Sequence, residues 1–138
     1  MAIVNSEMYG ANVSPSYLVV GVKADAVIDQ GNLVVLDSTG YAILADEATG
    51  LLPVGRAEES DDATGLSSGA KTIRCRLGAF KFKNSTSSDA IGVTELLKDV
   101  YIVDGKTVAK TSGSSTRSVA GKVLAVESDG VIVSIGPR

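Results

Sequence analysis

Short apolar runs separated by polar turns recur along most of the chain. They predict strands at Tyr17–Val22, Asn32–Leu36, Tyr41–Ala45, Leu51–Ala57, Lys71–Lys83, Val100–Val103, Lys106–Lys110, Val119–Glu127 and Val131–Ile135. The punctuation between them carries its own geometry. Asp37-Ser38-Thr39-Gly40 suits a type I turn, with Asp at the first position and Gly at the fourth. Asp104-Gly105 between two β runs predicts a tight hairpin with both turn residues at positive φ. Asp46–Gly50 and Ser128-Asp129-Gly130 are further turns, and Ala24–Gln30 is a connector. Glu58–Gly69 is the longest polar stretch, with no β run, and predicts a mobile surface loop. Asn84–Asp89 is a loop, and Thr111–Arg117 is Ser-rich and predicts a loose one. Thr94–Asp99 has the best helical signal, room for one or two turns, and Thr94 as a candidate cap.

Lys71–Lys83 is the most informative segment. Ile73, Cys75 and Leu77 are apolar at odd positions, then Phe80 and Phe82 at even ones. A strand cannot change faces in mid-run without an irregularity. A bulge or sharp corner is therefore expected at Gly78. Elsewhere Leu33–Leu36, Val100–Val103 and Val123–Val126 are apolar on both faces. An open sheet wetted on one side would alternate, so these runs call for a closed barrel, packed sheets, or a face covered by another subunit. The fold class expected is all-β or mainly β. One small β-barrel or β-sandwich of short antiparallel hairpins, with at most one short helix, occupies residues 17–138.

Residues 1–16 show no clean period. They read either as an extended arm that orders on contact or as a frayed terminus. Ile3, Val4, Met8 and Tyr9 are apolar for a solvated tail and are candidate contact residues.

Composition narrows the core. Of 138 residues, 44% are hydrophobic but only 4% aromatic, with no Trp, so Val, Ile, Leu and Ala must build it. The single cysteine, Cys75, rules out an intrachain disulfide and reads as a small buried hydrophobe rather than a reactive thiol. The start, MAIVNSEMYG, lacks a basic segment followed by an apolar run, and no apolar stretch suits a membrane helix. Soluble synthesis in the cytosol is the expectation, with no membrane partner.

Charge is unevenly placed. Residues 1–62 hold ten acids and two bases, whereas 63–138 hold six acids and eleven bases. Arg74, Arg76, Lys81 and Lys83 lie in the most basic stretch. The halves either neutralise each other within the fold or form opposite patches that pair between subunits or on a host surface.

Candidate chemistry is sparse. Without histidine the chain lacks the usual general base and the commonest metal ligand. A Ser-His-acid or Cys-His nucleophile cannot be built. Phosphate-loop and dinucleotide glycine patterns are missing. Glu58, Glu59, Asp61 and Asp62 lack the spacing of a dedicated calcium loop. No enzyme activity, cofactor, metal or small-molecule substrate is expected. A single-strand nucleic-acid platform would use the basic residues beside Phe80 and Phe82. Alternation sets the Phe pair on the face opposite Lys81 and Lys83, and the acidic pI of about 4.9 argues against nucleic acid.

The runs GNLVVLDSTGYAILADEATGLLPVGRAEES, GAKTIRCRLGAFKFKNS, DVYIVDGKTVAKTSG and RSVAGKVLAVESDGVIVSIGPR together resemble the small decoration, or cement, proteins of tailed-bacteriophage heads. The likeness is one of texture and order over most of the chain, with no catalytic motif. It implies a β-tulip-like barrel or sandwich made in the host bacterial cytoplasm. It also implies residence in the virion, on the outer capsid surface, as a homotrimer that braces neighbouring major capsid proteins. A phage tail or baseplate component is the alternative, followed by a single-stranded nucleic-acid-binding β-domain. On the capsid reading, Ile3, Val4, Met8 and Tyr9 would lie on the capsid or a neighbouring subunit. Arg74, Arg76, Lys81 and Lys83 would pair charges between copies.

Overall fold

A computed structural model describes residues 16–135. Twelve strands run in chain order: β1 Tyr17–Gly21, β2 Val27–Ile28, β3 Leu33–Leu36, β4 Ala42–Leu44, β5 Leu52–Ala57 and β6 Asp61–Asp62. They continue as β7 Thr72–Arg76, β8 Gly78–Phe82, β9 Asp99–Ile102, β10 Val108–Ala109, β11 Val119–Glu127 and β12 Gly130–Ile135. Two three-residue 3-10 turns, Ser87–Asp89 and Val93–Glu95, supply the helical content.

The strands form two five-stranded sheets, ordered β1-β7-β5-β3-β4 and β10-β9-β11-β12-β8, plus a two-stranded ribbon of β2 and β6. All paired strands are antiparallel. The arrangement is an open sandwich rather than a closed barrel.

Side-chain alternation explains the layering. Leu33 and Val35 of β3 join Phe82, Val100, Ile102, Val123, Val131, Val133 and Ile135 in a core between the two sheets. Val34, one step out of phase, enters a second core with Val22, Ile28, Ala42, Val54, Ile73 and Cys75. The first sheet is thus a middle layer, packed by the second sheet on one face and by the β2–β6 ribbon on the other. This is why Leu33–Val35 is buried on both faces. The other two-faced runs behave differently: Tyr101 is half-buried and Leu124 is exposed.

The parity switch at Gly78 is a change of sheet. Ile73 and Cys75 serve the second core; Phe82 and the half-buried Phe80 serve the first. Between them the chain leaves β7 and starts β8 in the opposite sheet, with Gly78 at φ +139, a region favouring glycine.

Several turns depart from expectation. Asp37–Gly40 closes as predicted, with Gly40 N–H donating to Asp37 O and the Asp37 carboxylate accepting from Thr39 N–H. The Asp104-Gly105 turn does not use positive φ at either residue. Asp104 instead accepts from Lys106 N–H, and the Gly105 carbonyl reaches Leu33 N–H of the facing sheet at 2.8 Å. A Cβ on Gly105 would lie 2.5 Å from Asn32 Oδ1, so glycine there serves close approach rather than turn dihedrals. The connector Ala24–Gln30 and the polar loop Glu58–Gly69 contribute β2 and β6, which pair and roof the second core. Thr94 lies inside the second 3-10 turn. Gly92 precedes that turn, and its N–H donates to Glu95 Oε1 at 2.7 Å. Thr111–Arg117, expected to be loose, is tied down by the Arg117 guanidinium. It meets Glu47 at 2.7 Å, Asp89 at 3.3 Å and the Thr111 carbonyl at 3.1 Å.

Candidate functional site

The start of β5 lies beside β11 because Ser118 holds it there. The buried Ser118 hydroxyl accepts from Leu51 N–H at 3.0 Å and donates to the Ala48 carbonyl at 2.6 Å. This leaves Leu52 and Pro53 as one wall of a groove along β11. Leu97 forms the other wall, after the second 3-10 turn. Its N–H donates to the Val123 carbonyl at 2.8 Å, and the Lys98 carbonyl accepts from Val123 N–H. These bonds hold Leu97 at φ +65, a conformation costing a leucine on the order of 1 kcal/mol.

The resulting open groove has a volume of about 820 Å³ and is mostly apolar. Around it Leu97 is 70% exposed, Leu52 63%, Leu124 49% and Val119 39%. Single exposed leucines are ordinary on a protein surface, whereas here several converge on one concavity. Polar groups stand at its rim. Lys122 and Asp99, facing each other across β11 and β9, pair at 2.9 Å, and Arg117 lies nearby. Glycine sets the floor: a Cβ on Gly121 would lie 2.0 Å from the Ser134 carbonyl. The groove offers apolar surface and a charged rim, a chemistry of binding.

A second surface occupies the overhang of β1 and β7, which contribute no residue to the inter-sheet core. Two guanidinium groups stand over the Tyr17 ring, Arg74 at 5.2 Å and Arg76 at 4.8 Å from its centroid, and Arg76 donates to the Tyr17 hydroxyl at 2.7 Å. Arg56 and Arg76 both meet Glu58, at 2.8 and 3.3 Å. Arg56 foremost, then Arg76, lowers the Glu58 pKa. Arg56 also lies over the Phe80 ring.

The four predicted basic residues have different fates. Arg76 is committed to Glu58, and Lys81 pairs with Glu127 and Asp129 across the last hairpin. Arg74 stacks on Tyr17, and Lys83 is exposed; neither has an ion-pair partner among the described residues. Ion pairs Lys71–Asp61, Arg76–Glu58 and Arg117–Glu47 cross between the acidic and basic parts, whereas the other ion pairs among the described residues join groups within one part. Ile3, Val4, Met8 and Tyr9 lie outside the described residues.

Cys75 is buried. Burial, assisted by the negative charges of Glu58 and Glu59, pushes its thiol up to about 12, which makes it unreactive at neutral pH. Among the described residues, no group of three or more Cys, Asp or Glu side chains converges to hold a metal, and no helix is long and apolar enough to cross a membrane.

The groove residues were not singled out by sequence. Leu52 follows Leu51, and Leu97 follows Leu96, so each reads as one more apolar residue in a run. The signal available was the two-faced strand Val123–Val126, whose Leu124 is the side chain left outward.

Fold and groove together define a class: an antiparallel two-sheet sandwich with an apolar groove on its flank. Comparison of the chain with family models, curated proteins and solved structures returns no match.

Proposed function

We propose that this chain is a structural virion protein that binds the outer surface of an assembled bacteriophage capsid in many copies, bracing neighbouring major capsid proteins. The observation that carries the reading is the groove with Leu52, Leu97, Val119 and Leu124 exposed around it. A rigid sandwich that holds these residues toward solvent, one of them in a strained conformation, is built for contact with a macromolecular surface. The decoration-protein texture of the sequence supplies the identity of that surface. Many weak clamps placed side by side raise the cost of opening a pressurised shell without any single tight site.

In this reading the protein is a homotrimer, and Arg74 and Lys83 carry charge between copies because no internal carboxylate engages them in the described residues. Residues Ile3, Val4, Met8 and Tyr9 extend the contact onto the capsid or a neighbouring subunit. Sedimentation velocity tests the oligomer: wild type runs as a trimer, and Arg74→Glu with Lys83→Glu shifts it toward monomer at low salt. Cosedimentation with undecorated phage heads tests the function. Saturable binding that weakens in Leu52→Ser with Leu124→Ser is expected, and no binding at micromolar concentrations refutes it.

A further inference from the structure

Strand β1 leaves one side of its backbone unpaired. It ends its sheet and runs antiparallel to β7, with Tyr17 against Arg76, Leu18 against Cys75, Val19 against Arg74 and Val20 against Ile73. The Ser16 carbonyl accepts from Leu77 N–H at 3.0 Å, and Val22 N–H donates to the Lys71 carbonyl at 2.8 Å. Antiparallel pairs alternate between bonded and non-bonded, so Leu18 and Val20 face β7 in the same way. The N–H and C=O groups of Tyr17 and Val19 therefore point away from the sheet, and no described residue pairs with them. The free edge stops at Val22, which meets Ala42 of β4.

This edge carries none of the usual guards. Natural edge strands are kept from pairing by lysine, proline, a bulge or short length. β1 has five residues, no charge, no proline and an unbroken register. Tyr17 is 38% exposed, Leu18 36% and Val19 60%, three apolar residues in a row. At the other end of the sheet β4 has three residues, and Lys23 N–H donates to its Ala42 carbonyl. β8, at an edge of the second sheet, carries Lys81 and continues into Lys83, whose backbone bonds to Lys106 and Val108.

The unpaired groups of β1 match those of a second copy. A two-fold axis at Leu18 sets Tyr17 opposite Val19 of the second copy, and Val19 opposite its Tyr17. Both pairs are then hydrogen-bonded pairs, so every outward group of Tyr17 and Val19 is satisfied on both strands. An aromatic residue against a β-branched one is a favourable cross-strand pair, and the two Leu18 side chains meet on the other face. The arginines do not oppose each other. Arg74 and Arg76 sit one strand further in on each side, three strand spacings or roughly 14 Å from those of the second copy.

We propose that β1 pairs antiparallel with β1 of a second copy about a two-fold axis at Leu18, joining two five-stranded sheets into one of ten strands. Three part-exposed side chains per copy fall well short of the roughly 1,200 Å² that a stable interface buries. The contact therefore forms when copies are crowded, at high concentration or fixed side by side on a surface. It is separate from the charge contacts at Arg74 and Lys83, and it does not rest on the capsid reading.

A disulfide at the axis tests it in the full-length protein. Leu18→Cys is combined with Cys75→Ala, because Cys75 is the register partner of Leu18 on β7 and would compete. High salt screens the charge contacts and leaves backbone pairing. Under mild oxidation at high protein concentration, the variant is expected to form a disulfide-linked dimer in most molecules, since directly opposed non-bonded residues lie within disulfide reach. Leu66→Cys with Cys75→Ala, at an exposed position on the β6–β7 connection, is the control and should give about fivefold less dimer. Equal yields at the two positions overturn the proposal. The wild-type chain supplies a second measurement that needs no substitution. In the same salt, hydrogen exchange of the Tyr17 and Val19 amides, followed by NMR, should slow about fivefold between dilute and concentrated protein. Unchanged exchange at both amides overturns the proposal as well.

Discussion

The two cores of this protein are built from different materials. The core between the sheets has large side chains, including Phe82, Leu33, Ile91, Ile102 and Ile135, and is closed on both sides by five-stranded sheets. The second core is smaller and rich in small residues, including Ala42, Ala57, Ala63 and Cys75, and its roof is a ribbon of two-residue strands. A core clamped between two sheets cannot relax around a void, whereas one under a short ribbon can settle inward. The first should therefore carry most of the stability, while the second sets the position of the middle layer.

The largest expected effect tests that contrast directly. Ile102→Ala should destabilise the fold by about 4 kcal/mol and Ile73→Ala by about 2 kcal/mol, since the cost of a cavity depends on how far its walls collapse. Urea unfolding of both variants gives the two values, and equal losses would mean that the ribbon is as rigid as a sheet. Gly78, where the chain passes from one core to the other at φ +139, comes next. Gly78→Ala should cost about 2 kcal/mol through backbone strain, because the nearest atom to the added Cβ, Phe80 Cζ, lies at 4.0 Å and no clash contributes. A neutral result in the same assay would show that the corner tolerates an ordinary residue.

A pH effect belongs to the second core's edge. Asp37 accepts hydrogen bonds from Lys23 and from Thr39, and these hold its carboxyl down at about 2 against an ordinary value of 3.8. The folded state therefore binds this proton less readily than the unfolded chain does. The stabilisation is complete above about pH 4 and is lost as pH falls toward 2. Lys23→Met should raise the Asp37 pKa toward its ordinary value, read by NMR titration, with little change in stability because Asp37 and Lys23 meet near solvent. The smallest expected effect is at the groove. Leu124→Ser should alter folding stability by no more than about 0.5 kcal/mol, since the side chain is half exposed, while reducing binding of a hydrophobic dye or partner. A large stability loss would make Leu124 a core residue rather than a contact.

Much of this fold was legible in the chain because alternation and turn chemistry are local. The strands at Tyr17–Val22 and Leu51–Ala57 follow from short apolar runs between turns, and the strand Val131–Ile135 and the corner at Gly78 from side-chain period. What the residues could not show was which pairing would recruit a polar segment. Asp61–Asp62 has no β signal, yet it becomes a strand because Val27–Ile28 needs a partner in the roof over the second core. Likewise the Ser-rich 111–117 segment is held by Arg117, whose partners Glu47 and Asp89 are distant in sequence. The basic residues were legible as a group, but their separate fates depend on whether a carboxylate lies across the fold: Glu58 for Arg76, Glu127 and Asp129 for Lys81. The groove was the least legible feature. Exposed and buried leucines look alike in sequence, and only the meeting of β5, β11 and Leu97 distinguishes them.

Electron microscopy of phage heads incubated with the purified protein tests the central claim most directly. The account predicts regularly repeated density for the two-sheet sandwich on the outer capsid surface, grouped in threes, with the β5–β11 flank turned toward a capsid protein or a neighbouring copy. Bare heads at saturating protein, or density confined to the tail, would contradict it.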